Sequence, residues 1–253
     1  MIQIKNSLQI AAMKEAGRIT GEALLVAREH IKEGVSTKQL DTVIRHHIER
    51  CGGKPSFLGL YGFPGSACIS INDEVIHGIP SDQRILREGD IVKIDVGAFY
   101  KGYHGDSART FPVGRVSEEA AALIAATKQS FYEGVAAFKL GNRVGDIGHA
   151  IDSYIAGCGF SVVRRYVGHG IGRSVHEAPD VPNYGTPGRG PRFMEGMVLA
   201  IEPMVNAGAL EVREMPDGWT VKTADGHLSA HYENTVALTA DGVLNLTEVE
   251  VGE

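Results

Sequence analysis

The chain sets out one plan twice, and few architectures accept such a duplication. Its first half opens on a helical pattern from about Ser7 to Lys32. Leu8, Ala12, Ile19, Ala23, Ala27 and Ile31 fall near helical spacing, and Gly34 is placed to end the helix. Ser36 and Gln39 form a capping-box pattern for a second helix carrying Leu40, Val43, Ile44 and Ile48, closed by Gly52 and Gly53. The second half opens a helix near Ser117, stopped by Gly141, and another from about Val144 that closes near Gly157. Strand-like runs follow in each half, with a His-Gly-Ile tripeptide at His77 and again at His169. Next comes a glycine followed six residues later by a carboxylate after isoleucine, Gly89 to Asp95 and Gly196 to Glu202. A second carboxylate then opens a β-rich run, Asp106 in one half and Glu233 in the other.

These agreements predict an α+β fold of two pseudo-symmetric α/β halves, roughly 7–114 and 117–246, around a central antiparallel sheet. No Pro/Ser linker separates the halves, so residues 1–253 read as one catalytic domain. The Gly/Pro-rich stretch 183–193 reads as an exposed loop. At 253 residues the chain can bury a core without disulfides or a structural metal. Its three cysteines, Cys51, Cys68 and Cys158, form no CxxC pair. That argues for a reducing compartment and against a thiolate metal site. The apolar runs are too short to span a membrane, and the first twenty residues, with Lys5, Lys14, Glu15 and Arg18, lack a signal-peptide core. The expectation is a cytoplasmic protein. A net charge of −6 weighs against a DNA or RNA partner.

Chemistry enters with the carboxylates. Asp95 interrupts an apolar strand, Ile91 to Tyr100, otherwise suited to burial. Lys101-Gly102 suits a two-residue hairpin turn that pairs Tyr100 with Tyr103 and position 97 with 106. Asp95 and Asp106 then lie diagonally on one face, roughly 7–8 Å apart at most. Carboxylates so close repel unless one is protonated or a cation lies between them. Glu202 and Glu233 pose the same problem in the second half, and His169 adds an imidazole in a glycine-rich stretch. One such acid in a strand is commonly exposed or ion-paired; four at matching places point to metal. Four carboxylates and one imidazole make a hard, oxygen-rich set suited to two divalent ions ~3.5–4 Å apart, an arrangement that activates water for hydrolysis. Other motifs fail: Gly97 to Gly102 has P-loop spacing, but Tyr103 stands where the lysine is required.

The runs Lys93-Ile-Asp95-Val-Gly, His104-Gly-Asp106, Gly168-His169-Gly-Ile-Gly-Arg-Ser-Val-His176-Glu, Ile201-Glu202-Pro203 and Ser229-Ala-His-Tyr-Glu233-Asn-Thr closely resemble the type I methionine aminopeptidases, from about Ser7 to Leu246. The resemblance implies the pita-bread fold around a dinuclear metal site and hydrolytic removal of the initiator methionine before a small second residue. It assigns Asp95 to one ion and His169 with Glu202 to the other, with Asp106 and Glu233 bridging both. The ions would be Co, Mn, Fe or Zn. Glu202 would also shuttle the proton, while His77 and His176 would contact the substrate backbone and stabilise the tetrahedral intermediate. A methionine pocket is implied among Phe63, Cys68 and Trp219, with Tyr61 and Val175 nearby; an apolar slot with an aromatic wall and a soft sulfur suits a thioether. Val175, Leu60 and Phe57 depart from the commoner bacterial pattern and bear on the pocket's width. Asn72, Glu74 and Ser229 match a monovalent-cation site of some relatives. The implied partner is the N-terminal methionine of nascent polypeptides, met by a monomer in transient contact with the ribosome. Prolidase and Xaa-Pro aminopeptidase relatives share the five-ligand plan and form the alternative.

Overall fold

Residues 1–249 are described by a computed structural model. Each half begins with a helix pair: α1 (Ser7–His30) and α2 (Thr37–Arg50), then α3 (Glu118–Ala137) and α4 (Val144–Gly157). The starts follow from capping chemistry. Ser36 Oγ accepts from Gln39 N while Gln39 Oε1 accepts from Ser36 N, and Asn6 with Gln9 repeats the arrangement at α1. Ser117 caps α3. The ends differ from expectation. α1 stops at His30 and α3 at Ala137, so Gly34 (φ +85°) and Gly141 (φ +94°) turn the connecting chain rather than cap the helices. The two connections, 31–36 and 138–143, are equally long.

Each helix pair buries its apolar stripe on its own strands. Ile19, Ala23, Leu40, Ile44 and Ile48 pack with Ile69, Val92, Ile94 and Val96. Leu123, Phe131, Ile147 and Ile151 pack with Leu199, Ile201, Val205 and Val236. Every such large aliphatic contributes roughly 1.5–3 kcal/mol of burial. The first half supplies strands β1 (Lys54–Pro55), β2 (Ala67–Ile71), β3 (Glu74–Ile76), β4 (Ile91–Tyr100) and β5 (Tyr103–Pro112). The second supplies β6 (Ser161–Val162), β7 (Gly168–Gly170), β8 (Glu177–Val181), β9 (Val198–Ile201), β10 (Met204–Asn206), β11 (Val212–Glu214), β12 (Val221–Thr223), β13 (Ser229–His231), β14 (Asn234–Thr239) and β15 (Gly242–Asn245).

One sheet is β1-β4-β2 with β5 also on β4, and its counterpart runs β15-β14-β9-β7-β8. The smaller sheets β13-β10-β6 and β11-β12-β3 complete the set, and the last of them draws strands from both halves. Tyr100 pairs with Tyr103 and Gly97 with Asp106, the register expected from Lys101-Gly102, whose φ angles of +47° and +89° make the primed turn that matches strand twist.

The halves meet where β5 runs beside residues 231–235. Ala108 and Glu233 exchange backbone hydrogen bonds of 3.3 and 2.9 Å. On either side, threonine hydroxyls stand in for the missing ladder. Thr235 Oγ1 accepts from Asp106 N and donates to Asp106 O, and Thr110 Oγ1 does the same for His231. This seam carries Asp106 on one side and Glu233 on the other, so the fold sets the two carboxylates together.

Candidate active site

All five predicted ligands line one cavity of about 540 Å³, together with His77, His176, Phe63, Cys68 and Trp219. Asp95 projects from β4 and Asp106 from β5, while Glu202 follows β9 and Glu233 precedes β14. Asn234 pairs with Ile201, so Glu202 and Glu233 stand one step beyond the ladder, across from each other. His169 sits in the middle of β7, held close to its neighbours. A Cβ at Gly168 would meet Ala200 O at 2.4 Å, and one at Gly170 would meet Ala178 O at 2.3 Å, so only glycines permit this approach.

The electrostatics of this cluster call for a cation. Burial pushes the Asp95 carboxyl up to about 7. Burial, then mutual repulsion among the four acids, holds Asp106, Glu202 and Glu233 well above the ordinary carboxylate range. His169 moves the other way, to about 4, through burial and then the neighbouring His176. Its neutral ring donates Nδ1–H to Gly170 O at 2.9 Å, which leaves the Nε2 lone pair free. Nε2 faces Glu202 Oε1 at 3.5 Å and Asp106 Oδ2 at 4.0 Å, too far for hydrogen bonds. Ligand atoms of Asp106, His169 and Glu233 lie within 4.8 Å of one another, and the buried Oδ1 atoms of Asp95 and Asp106 have no hydrogen-bond partner. Orphaned acceptors converging on one point fit divalent metal.

His77 and His169 are not structural equivalents, although the sequence repeat sets one against the other. His77 follows β3 in a left-handed conformation, φ +60°, uncommon for a residue with a side chain. Its ring packs edge-on against Trp219 and Tyr166, and burial, then His176, press it down to about 4. His176 lies edge-on to His169, with ring centres 4.5 Å apart, and stacks on Tyr61. Burial lowers its pKa too, so both rings are neutral at neutral pH.

The expected pocket residues form one apolar cluster of Phe57, Phe63, Cys68 and Val175, with Leu60 and Trp219 against it. Phe63 and Trp219 meet edge to face at 5.1 Å. Cys68 pairs with Asp95 across β2 and β4. Burial and then Asp95 raise its thiol well above the ordinary value, so it lines the wall as a neutral sulfur rather than a thiolate. The departures at Phe57, Leu60 and Val175 all fall in this cluster, so they act on the pocket and not on the carboxylates.

Sequence reasoning missed His231 and Lys93. His231 is fully buried, neither ring nitrogen has a partner, and Nε2 lies 3.8 Å from Glu202 Oε2. The available signal was position, since His231 stands two residues before Glu233. Lys93 bears on the expected monovalent cation. Asn72 O accepts from Lys93 Nζ at 2.7 Å and from Ser229 N at 3.1 Å, which uses both lone pairs. The Glu74 carboxylate is held by Ile71 N and Arg84, and Ser229 Oγ donates to Asn206 Oδ1. Lys222 also contacts Asp73 and Glu74. Asn72 O is therefore closed to a monovalent cation, because the Lys93 amine already holds that carbonyl.

The sequence matches metallopeptidase family M24 over residues 11–240. It is 54% identical to a methionine aminopeptidase of Clostridium acetobutylicum, over 99% of this chain and 100% of that one. The crystal structure of methionine aminopeptidase from Thermotoga maritima superposes with a TM-score of 0.97 at 41% identity, covering 98% of this chain and 100% of that one. Prolidase from Pyrococcus furiosus gives 0.80 at 25% identity, covering 98% of this chain and 66% of the prolidase.

Proposed function

This chain belongs to metallopeptidase family M24, and from that premise we propose that it is a methionine aminopeptidase, hydrolysing the peptide bond after an N-terminal methionine that precedes a small residue. The observation that carries the reading is the adjacency in one cavity of five converging ligands and an apolar, sulfur-lined wall. Asp95 would hold one divalent ion and His169 with Glu202 a second, with Asp106 and Glu233 shared between them. When bound, two such ions supply Lewis acidity and a nucleophilic water at neutral pH.

The residues do the rest. Phe63, Cys68 and Trp219 receive the thioether and fix the scissile bond against the carboxylates. Glu202, ionised when the ions are bound, takes a proton from the attacking water and delivers it to the leaving amine. His77 and His176, neutral and flanking the cavity, donate hydrogen bonds to the carbonyl oxygen as it gains charge. Residues 1–253 read as one catalytic domain because the ligands come from both sides of the β5 seam; positions 250–253 lie outside the described residues. The three free thiols fit the cytoplasm, where a monomer would meet nascent chains in transient contact with the ribosome. Among the described residues no helix is long and apolar enough to cross a membrane.

The test is anaerobic release of methionine from a Met-Ala-Ser peptide with Mn, Fe, Co or Zn supplied in turn. Release with at least one ion is expected. No release with any of them overturns the reading, and cleavage of Xaa-Pro peptides instead moves the chain to its prolidase relatives.

Two further results are expected. His77→Ala lowers kcat by roughly 10²–10³-fold, the cost of losing one donor to a developing oxyanion, and leaves the metal content of the wild type. Metal analysis beside the kinetics checks this, and lost metal would make His77 a ligand instead. Second, replacing Na⁺ and K⁺ by choline leaves both kcat/KM and the thermal midpoint unchanged, because Lys93 Nζ holds Asn72 O. A saturable rise in either quantity with K⁺ would contradict the tethered amine.

A further inference from the structure

Away from the cavity, a second set of ligand types meets between the first two helices. Glu22 projects from α1, His47 from the last turn of α2, and Cys51 from the residue that ends α2. On an α-helix, positions 47 and 51 lie on one face one turn apart. Cys51 Sγ lies 3.6 Å from His47 Nε2, and Glu22 Oε2 lies 3.3 Å from the same nitrogen. All three ligand atoms fall within 4.8 Å of one another.

These separations have a simple meaning. A tetrahedral ion with bonds of ~2.0–2.1 Å to nitrogen and oxygen and ~2.3 Å to sulfur sets ligand edges of about 3.3 Å for N to O and about 3.6 Å for N to S. The histidine–glutamate separation exceeds the ~2.7–2.9 Å of a charge-assisted hydrogen bond. One Nε2 also cannot direct a single proton at both an oxygen and a sulfur. Arg18 Nη1 binds the other glutamate oxygen, Oε1, at 2.5 Å, and so turns Oε2 toward the histidine. His47 Nδ1 is buried without a partner, so no contact competes for the ring through that nitrogen.

We propose that Glu22, His47 and Cys51 bind one Zn²⁺, separate from the catalytic ions, that clips α1 to the end of α2 and leaves its fourth position to water. Thiolate with imidazole selects zinc over magnesium, calcium or manganese. Binding releases the thiol proton to solvent and leaves a Zn–S bond, with no change of oxidation state. The sequence argued against a thiolate site because no cysteine has a second cysteine at metal spacing. Here the partners are a histidine one turn back and a glutamate from another helix, which only packing brings near. The inference does not depend on the peptidase reading, since no thiolate stands among the catalytic ligands.

The test uses Co²⁺ as a spectroscopic stand-in on the full metal-free chain. Titration should raise a near-ultraviolet thiolate-to-cobalt charge-transfer band that Zn²⁺ then abolishes. Cys51→Ser should lose the band, while Cys68→Ser and Cys158→Ser keep it. Added Zn²⁺ should raise the thermal midpoint of the wild type more than that of Cys51→Ser. Absence of the band at saturating Co²⁺ overturns the proposal, as does a band that survives Cys51→Ser or vanishes with Cys68→Ser. Because the wild-type spectrum alone can refute the site, a poorly folding variant would not protect it.

Discussion

Asp106→Ala is expected to abolish methionine release, with kcat/KM falling by about 10³-fold or more, since the ions supply several kcal/mol of transition-state stabilisation and each ~1.4 kcal/mol is a factor of ten. Glu233→Ala should do the same. Both residues face the cavity from the β5 seam, yet the seam is built from their backbones and from threonine hydroxyls. Removing either side chain therefore leaves the join between the halves in place. The loss should appear with an unchanged circular dichroism spectrum and a reduced ion count by atomic absorption. Full two-ion occupancy in Glu233→Ala would contradict a bridging role. Asp95→Ala should be milder in metal loss, because the proposed scheme gives Asp95 contact with one ion only.

The second large effect concerns the metal-free chain, whose stability should fall as pH rises from about 6.5 to 8. The sign follows from linkage: a carboxyl raised in the folded state holds its proton there while the unfolded chain has already lost it, so raising pH favours unfolding. Asp95 titrates near 7 in the folded chain, and Asp106, Glu202 and Glu233 lie well above their ordinary values. Buried histidines oppose this at lower pH. His77 and His169 are lowered to about 4 and His231 to about 3, so their penalty is confined to acid below the ordinary histidine value. Lys93, lowered to about 7 by burial, works against the carboxyls by one proton. The raised carboxyls outnumber the one lowered lysine, so the net result is a loss of stability as pH rises. Urea unfolding at the two pH values measures it. Saturating Mn²⁺ or Co²⁺ should remove most of the slope, because bound ions keep the four acids ionised. A metal-free chain equally stable at both values would mean that the carboxylates do not crowd one another.

Much of the site was legible because strand chemistry has short rules. A charge at Asp95 inside an apolar strand, a Lys-Gly turn of known geometry and the period of two together place Asp95 near Asp106. The observed pairing of Gly97 with Asp106 follows the same count. Capping residues likewise located the starts of α2 and α3, since a side-chain cap is a local hydrogen bond. Glycines were less informative about helix ends. Gly34 and Gly141 mark where the chain reverses, several residues after hydrogen bonding has stopped.

What sequence by itself determined is the inventory and the local geometry: two helix–helix–strand halves, four carboxylates in apolar surroundings, and the family whose motifs they compose. What tertiary structure decided are the relations between distant segments, which no local period encodes. The His-Gly-Ile repeat looked equivalent at His77 and His169, but one lies in a strained turn and the other in a strand, because only the second has neighbours on both sides of its sheet. Packing alone put Lys93 Nζ on the Asn72 carbonyl, left His231 unpartnered beside Glu202, and drew Glu22 to His47 and Cys51. Hydrogen bonds and burial reach only a few ångströms, so a buried group's chemistry is settled by whichever residues the fold carries to it.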